Sequence, residues 1–176
     1  MKKETKTVIT HESIEKKLRD DNRTSLKHTA FVFFATLLAY GTMSAIIIAF
    51  GFETHNLGIE IISAVFAAIA SVPVWVMLSG FVKDLIEYKH LKNGDVEIVT
   101  RPLLYETEET RYTRKTRIEY TEHKFHFEGF DAFLVSSEQS KRFSRDDEFY
   151  LVYYKGTPKI KLAYSLMLYE YKETAK

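Results

Sequence analysis

The chain has 176 residues, 45% of them hydrophobic, and a formal charge of +1 from 25 Lys and Arg against 24 Asp and Glu. It contains no cysteine, which excludes disulfides, thiolate metal ligands and a cysteine nucleophile. The mean hydropathy of -0.20 matches a soluble domain, yet almost all the unbroken apolar sequence lies in the first half.

Residues 1–28 are expected to form a cytosolic basic leader. Lys2, Lys3, Lys6, Lys16, Lys17, Arg19, Arg23 and Lys27 outnumber Glu4, Glu12, Glu15, Asp20 and Asp21 there. Thr10 or Ser13 can cap a helix, and Ile14 and Leu18 stand four apart. The leader is therefore either a short amphipathic helix on the inner leaflet or a disordered basic segment. Residues 29–52 (TAFVFFATLLAYGTMSAIIIAFGF) contain no Asp, Glu, Lys, Arg or His, and neither do residues 61–82 (IISAVFAAIASVPVWVMLSGFV). A hydrocarbon core of about 30 Å takes about 20 helical residues to cross, so each run predicts a transmembrane helix. A core helix of a soluble protein would carry a polar face. A signal peptide would have a shorter apolar run nearer the N-terminus.

The connector, residues 53–60, carries Glu53 and Glu60 and no Lys or Arg, whereas Lys83, Lys89 and Lys92 follow the second run. Short loops rich in Lys and Arg stay cytoplasmic. The expected topology is a multi-pass hairpin in a bacterial inner (cytoplasmic) membrane, with both termini cytoplasmic and 53–60 as an external turn. Gly41, Ala45 and Ala49 in the first run, and Ser63, Ala67 and Ser71 in the second, recur every four residues. Small residues let helix backbones approach closely in lipid. These stripes are read as packing between the two helices or between protomers, unless they are chance in Ala-rich runs. Pro73 removes one helical hydrogen bond and favours a kink. Neither run holds an ionisable group of the kind that marks ion paths, so neither a transporter nor a channel is expected.

Residues 83–93 continue the second helix as a stalk, and Asn93-Gly94 supplies its stop. From there the texture changes to alternating Tyr, Phe, Val, Ile and Thr, a strand signature. Residues 94–172 are expected to be a β domain, with 173–176 a tail. Val96 and Ile98 share one face of the first strand, and Thr116, Ile118 and Tyr120 share one face of another. EFYLVYY (148–154) is apolar enough to be covered on both sides. Residues 155–158 (KGTP) are a turn. Beyond them Ile160, Leu162, Tyr164, Leu166 and Leu168 predict one long strand. Ser136 followed by Gln139 fits a capping box for one short helical turn. The expected fold is a membrane α-helical hairpin of two transmembrane helices plus a C-terminal all-β domain. That domain is an SH3-like or OB-like bent sheet or barrel of five or six strands.

The run KFHFEGFDAFLVSSEQSKRFSRDDEFYLVYYKGTPKIKLAY resembles a pattern in small bacterial two-span membrane proteins of uncharacterised function. The resemblance implies architecture alone and carries no site.

Nothing in the chain predicts catalysis. Glu106, Glu108 and Glu109 precede Thr110, and Arg111, Arg114, Lys115 and Arg117 follow it, which predicts an ion-paired hairpin turning near Thr110. His123 and His126, three apart on a strand, point to opposite faces and are read as surface histidines. No phosphate loop, nucleophile elbow or calcium loop is present, so no cofactor or metal is expected. The β region has one more acidic than basic residue, against the surplus of a nucleic-acid binder. Two functions remain. The first is a non-enzymatic anchor whose β domain recruits a protein partner or stabilises a membrane complex, with the lipid bilayer and self-association through the spans as further contacts. The second is a ligand sensor that drives oligomerisation of the spans, resembling in outline the membrane-disrupting effectors of bacterial cyclic-nucleotide defence. For that reading Tyr153 and Tyr154 are candidates for base stacking, and Arg114 and Arg117 for phosphate contact.

Overall fold

A computed structural model describes residues 6–53, 57–112 and 119–173. The described residues through Leu18 join those from His90 onward in one compact unit, and Arg19–Lys89 form a second.

The second unit is built from two helices, α1 (His11–Glu53) and α2 (Leu57–Asn93). Each contains an 18-residue stretch of high mean hydropathy, 2.1 in α1 and 2.3 in α2, and by length and composition both can cross a membrane. Their large apolar side chains point outward: Phe31, Leu38, Ile46, Phe50, Ile61, Ile69 and Trp75 are all exposed. Apolar surface of that extent suits lipid rather than water. Between the helices, packing is close and partly polar. Ser25 Oγ and Thr29 Oγ1 each donate to Asp84 Oδ2 at 2.8 Å, and Asn22 Nδ2 donates to the Asp84 carbonyl at 3.3 Å. Further along, the Phe33 and Phe81 rings stack with centroids 5.6 Å apart, and Ser44 Oγ donates to the Ala67 carbonyl at 3.3 Å. At Gly51 a side chain would meet Ser63, since a Cβ there would lie 2.6 Å from the Ser63 Cβ.

Of the six small residues picked from spacing, Ser63 and Ala67 are buried, Gly41 and Ser71 are half-buried, and Ala45 and Ala49 are exposed. The buried row of α2 runs Ser63, Ala67, Ala70, and α1 contributes Ser44 and Gly51. The difference is geometric. A strict four-residue repeat drifts by about 40° per step around a helix of 3.6 residues per turn, whereas alternating steps of three and four hold one face. Pro73 lies inside α2 without ending it.

The first unit is β-rich and holds three small sheets, none of them a closed barrel. Strand β1 (Thr7–Thr10) pairs in parallel with β8 (Tyr169–Lys172). Strands β2 (Val96–Pro102), β6 (Glu148–Tyr154) and β7 (Ile160–Ser165) form an antiparallel sheet in the order β2-β6-β7. The third sheet has the order β3-β4-β5, from Tyr105–Tyr112, Glu119–His126 and Phe133–Val135. Of the expected SH3-like or OB-like bent sheet or barrel, the β-rich region is present and the closed barrel is not: the described strands lie in three small sheets that do not bond around a ring.

Strand β6 is covered on both faces, as its near-continuous apolar sequence requires. On one face Val152 and Tyr154 pack with Ile9, Ile14, Leu18, Leu91 and Val96. On the other, Phe149 and Leu151 pack with Leu103, Phe125, Phe127 and Ile160. The helix expected from Thr10, Ile14 and Leu18 is the start of α1, and its apolar stripe packs into the first cluster. Thr10 caps α1, its Oγ1 accepting from the Ser13 amide at 3.2 Å while Ser13 Oγ accepts from the Thr10 amide at 3.0 Å. That cap starts the helix at His11 and turns Ile14 and Leu18 into the apolar cluster.

Two further expectations change. The hairpin does not turn at Thr110, which sits in β3 opposite Thr121. The last strand is two: β7 stops at Ser165, and the Leu166 amide donates to the Glu148 carbonyl at 2.9 Å as the chain turns into β8. An irregularity between Val152 and Tyr153 also sends Ile160 to the opposite cluster from Leu162. The short helix α3 (Ser137–Ser140) has the capping box of Ser136 and Gln139. At the end of α2, Gly94 adopts φ +72 and the Asp95 amide returns to the His90 carbonyl at 3.0 Å, the left-handed stop read from Asn93-Gly94.

Ile14 is 1% exposed and Val8 48%. Ile14→Ala should therefore lower the stability of the β-rich unit by about 2–5 kcal/mol. Val8→Ala should change it by less than about 0.5 kcal/mol. Chemical unfolding of the full chain in micelles, followed by amide exchange in β6, checks both values; equal effects would contradict this packing.

Candidate functional site

Two features of the β-rich unit have the geometry of a binding site. The first is the outward face of the β3-β4-β5 sheet. Alternation places Tyr105, Thr107, Glu109 and Arg111 of β3 on this face, opposite His126, Lys124, Glu122 and Tyr120 of β4, with Leu134 of β5 beside Lys124. The charged positions neutralise one another. Lys124 Nζ lies 2.7 Å from Glu109 Oε2, and Arg111 reaches Glu109 at 3.0 Å and Glu122 at 3.1 Å. Hydrogen bonds from Lys124 and then Arg111 hold the Glu109 carboxyl below its ordinary pKa. Around this ladder Tyr105, Tyr120 and Leu134 stay exposed, with Tyr105 stacked on His126 at 4.3 Å between centroids. The result is a paired-charge face bordered by aromatic and aliphatic surface.

The second feature is a cleft of about 290 Å³. Phe133, Phe143, Phe149 and Tyr169 line it, and its charged residues are Lys17 and Arg142 against Glu138. Lys17 Nζ also sits 5.6 Å above the Tyr164 ring. Phe143 packs edge-on against Phe149 and Phe125, with centroids 5.1 and 6.3 Å apart.

The residues chosen from sequence as ligand contacts do not make a common site among the described residues. Arg114 and Arg117 lie outside the described residues, as do Thr116 and Ile118. Tyr153 and Tyr154 are neighbours on β6 and face opposite ways. Tyr154 is buried in the cluster with Ile14 and Leu18, its ring stacked on His90 and covered by Lys161. Tyr153 packs on Phe130 and donates its hydroxyl to Glu97 Oε2 at 2.7 Å.

His123 and His126 do face apart, as expected. His123 is buried rather than superficial; Val135 opposite it on β5 places it beside the apolar row of Phe125 and Phe133. Its Nδ1 lies 2.9 Å from Glu106 Oε1 and 3.4 Å from Glu108 Oε1. His126 Nε2 lies 2.9 Å from Thr107 Oγ1.

No protein-family model matches the chain, and neither a curated protein nor a solved structure gives a significant match. What the structure shares with the resembled two-span proteins is architecture: two long apolar helices and a β-rich C-terminal region.

The Tyr153–Glu97 bond gives a pH test. Donation to the carboxylate, then burial, raises the Tyr153 pKa above its ordinary value of 10.0. The bond's contribution is therefore complete below about pH 10 and is lost as pH rises through the raised value. In Tyr153→Phe that alkaline loss should be smaller than in the unsubstituted chain, measured as the unfolding midpoint from pH 9 to 11. Identical alkaline profiles would contradict the assignment.

Proposed function

We propose that the chain is a non-enzymatic integral protein of a bacterial cytoplasmic membrane, anchored by two spans, whose β-rich unit docks a protein partner and scaffolds a complex at the cytoplasmic face. The observation that carries this reading is the outward face of the β3-β4-β5 sheet. Its charges are already paired with one another, while Tyr105, Tyr120 and Leu134 remain exposed around them. Large aromatic side chains on an otherwise neutralised surface are the usual anchors of a protein interface. The cytoplasmic placement of both termini rests on the excess of Lys and Arg in the segments flanking the two helices. It agrees with the contribution of residues from both chain ends to one β-rich unit.

The cleft favours a second reading, a sensor for a small anionic aromatic ligand such as a nucleotide. Phe133, Phe143 and Tyr169 supply stacking surface, and Lys17 and Arg142 supply charge. Its volume of about 290 Å³ falls just below the range of about 300–1,000 Å³ typical of ligand pockets, which ranks it second.

A photo-crosslinking phenylalanine placed in cells at Tyr120 or at Leu134 should give the same discrete adduct, whereas one at exposed Lys155 in the β6–β7 turn should give none. Adding Tyr105→Asp should abolish the adduct. Absence of an adduct from the sheet face, or equal labelling from Lys155, would contradict partner docking. If a nucleotide instead raises the thermal midpoint of the full chain, and Arg142→Ala removes the rise, the function moves to the cleft.

A further inference from the structure

We propose that Glu106, Glu108 and His123 form a binding site for a divalent transition-metal ion, with Zn²⁺ the best chemical match. Strand pairing assembles the site. Glu106 and Glu108 are two apart on β3 and so share a face, and His123 on β4 pairs directly with Glu108. One donor atom from each residue lies within 4.8 Å of the other two. His123 Nδ1 stands at the centre, 2.9 Å from one carboxylate and 3.4 Å from the other. Zinc bonds of about 2.0–2.2 Å in tetrahedral geometry place neighbouring ligand atoms about 3.4 Å apart. The two distances from His123 Nδ1 lie within about 0.5 Å of that spacing.

Charge points the same way. Lys124 and Arg111 are on the opposite face of this hairpin, bound to Glu109 and Glu122. Among the described residues, no Lys or Arg pairs with Glu106 or Glu108. Two carboxylates and one imidazole thus face each other on this side, and a dication with neutral imidazole balances them. The ligand that is hardest to move is already in place, since the His123 side chain is only 9% exposed. The Glu108 side chain, 66% exposed, leaves the ion a route in. One nitrogen and two oxygen donors suit zinc better than calcium, which prefers an all-oxygen shell. Three protein ligands leave a fourth position for water or an incoming group. A bound ion would tie β3 to β4 beneath the paired-charge face.

The test uses the untagged full chain in micelles, stripped with a chelator and titrated with Co²⁺ and then Zn²⁺. The expected result is one equivalent of Co²⁺ with the visible absorption of a tetrahedral site, displaced by Zn²⁺. Glu108→Gln, isosteric and exposed, should weaken binding by at least about tenfold, a loss that even outer-shell substitutions cause. Glu109→Gln, on the other face, should leave it unchanged. Because His123→Ala removes a buried ring and can unfold the sheet, Glu108→Gln is the deciding variant. No stoichiometric uptake by the unsubstituted chain, or unchanged affinity in Glu108→Gln, overturns the site.

Discussion

The β-rich unit depends on one burial event, the seating of Ile9, Ile14 and Leu18 against Val96, Val152 and Tyr154. The β2-β6-β7 sheet is apolar on both faces; Phe125 and Phe127 cover one of them, and β8 reaches the other only through the half-buried Tyr169 and Tyr171. Covering the other face falls to the N-terminal segment and to Leu91 near the end of α2. A sheet of this size with one apolar face in water would be a poor domain and an aggregation hazard. Residues 7–18 are thus a structural layer of the unit.

The same logic explains the division of labour between the faces of the third sheet. Inward, Phe125, Phe133 and Val135 pack against the central sheet, and the row continues along β4 to His123 with Glu106 and Glu108. Outward, Glu109, Arg111, Glu122 and Lys124 cancel one another's charge and leave aromatic surface between them. Ion pairs that exposed add little to stability. In the proposed docking role they would remove the cost of bringing a partner's apolar surface against unpaired charge. In the helical unit, Asp84 has the corresponding role. Two hydroxyls and an amide from α1 converge on it, and such a set of bonds fixes the register of two helices whose apolar surfaces alone would slide.

Much of the architecture was legible in the sequence because it is written in local patterns. Charge-free runs marked the long helices, Asn93-Gly94 marked the end of α2, and Ser136 with Gln139 marked α3. The double-sided apolarity of residues 148–154 was also readable. What was not legible depends on partners distant in the chain. Ile14 and Leu18 make too thin a stripe to announce a core position, because the surface they cover is formed by β2 and β6. The break after Ser165 interrupts an unbroken alternation, so periodicity could not reveal it. Of the candidate site residues, Tyr153 and Tyr154 are read together as aromatics for base stacking, whereas their neighbouring positions on β6 turn one into each layer. The grouping of His123 with Glu106 and Glu108 was hidden because it needs the β3–β4 register; a hairpin turning at Thr110 would have paired other residues.

The most direct measurement is amide hydrogen exchange on the full chain and on a chain lacking residues 1–18, in the same micelles. If the N-terminal segment is a layer of the β-rich unit, its removal will strip protection from β6 and β8 together and leave the amides of α2 between Leu57 and Lys83 protected. Unchanged protection in β6 would show that the sheet stands without that layer and would contradict this account of the fold.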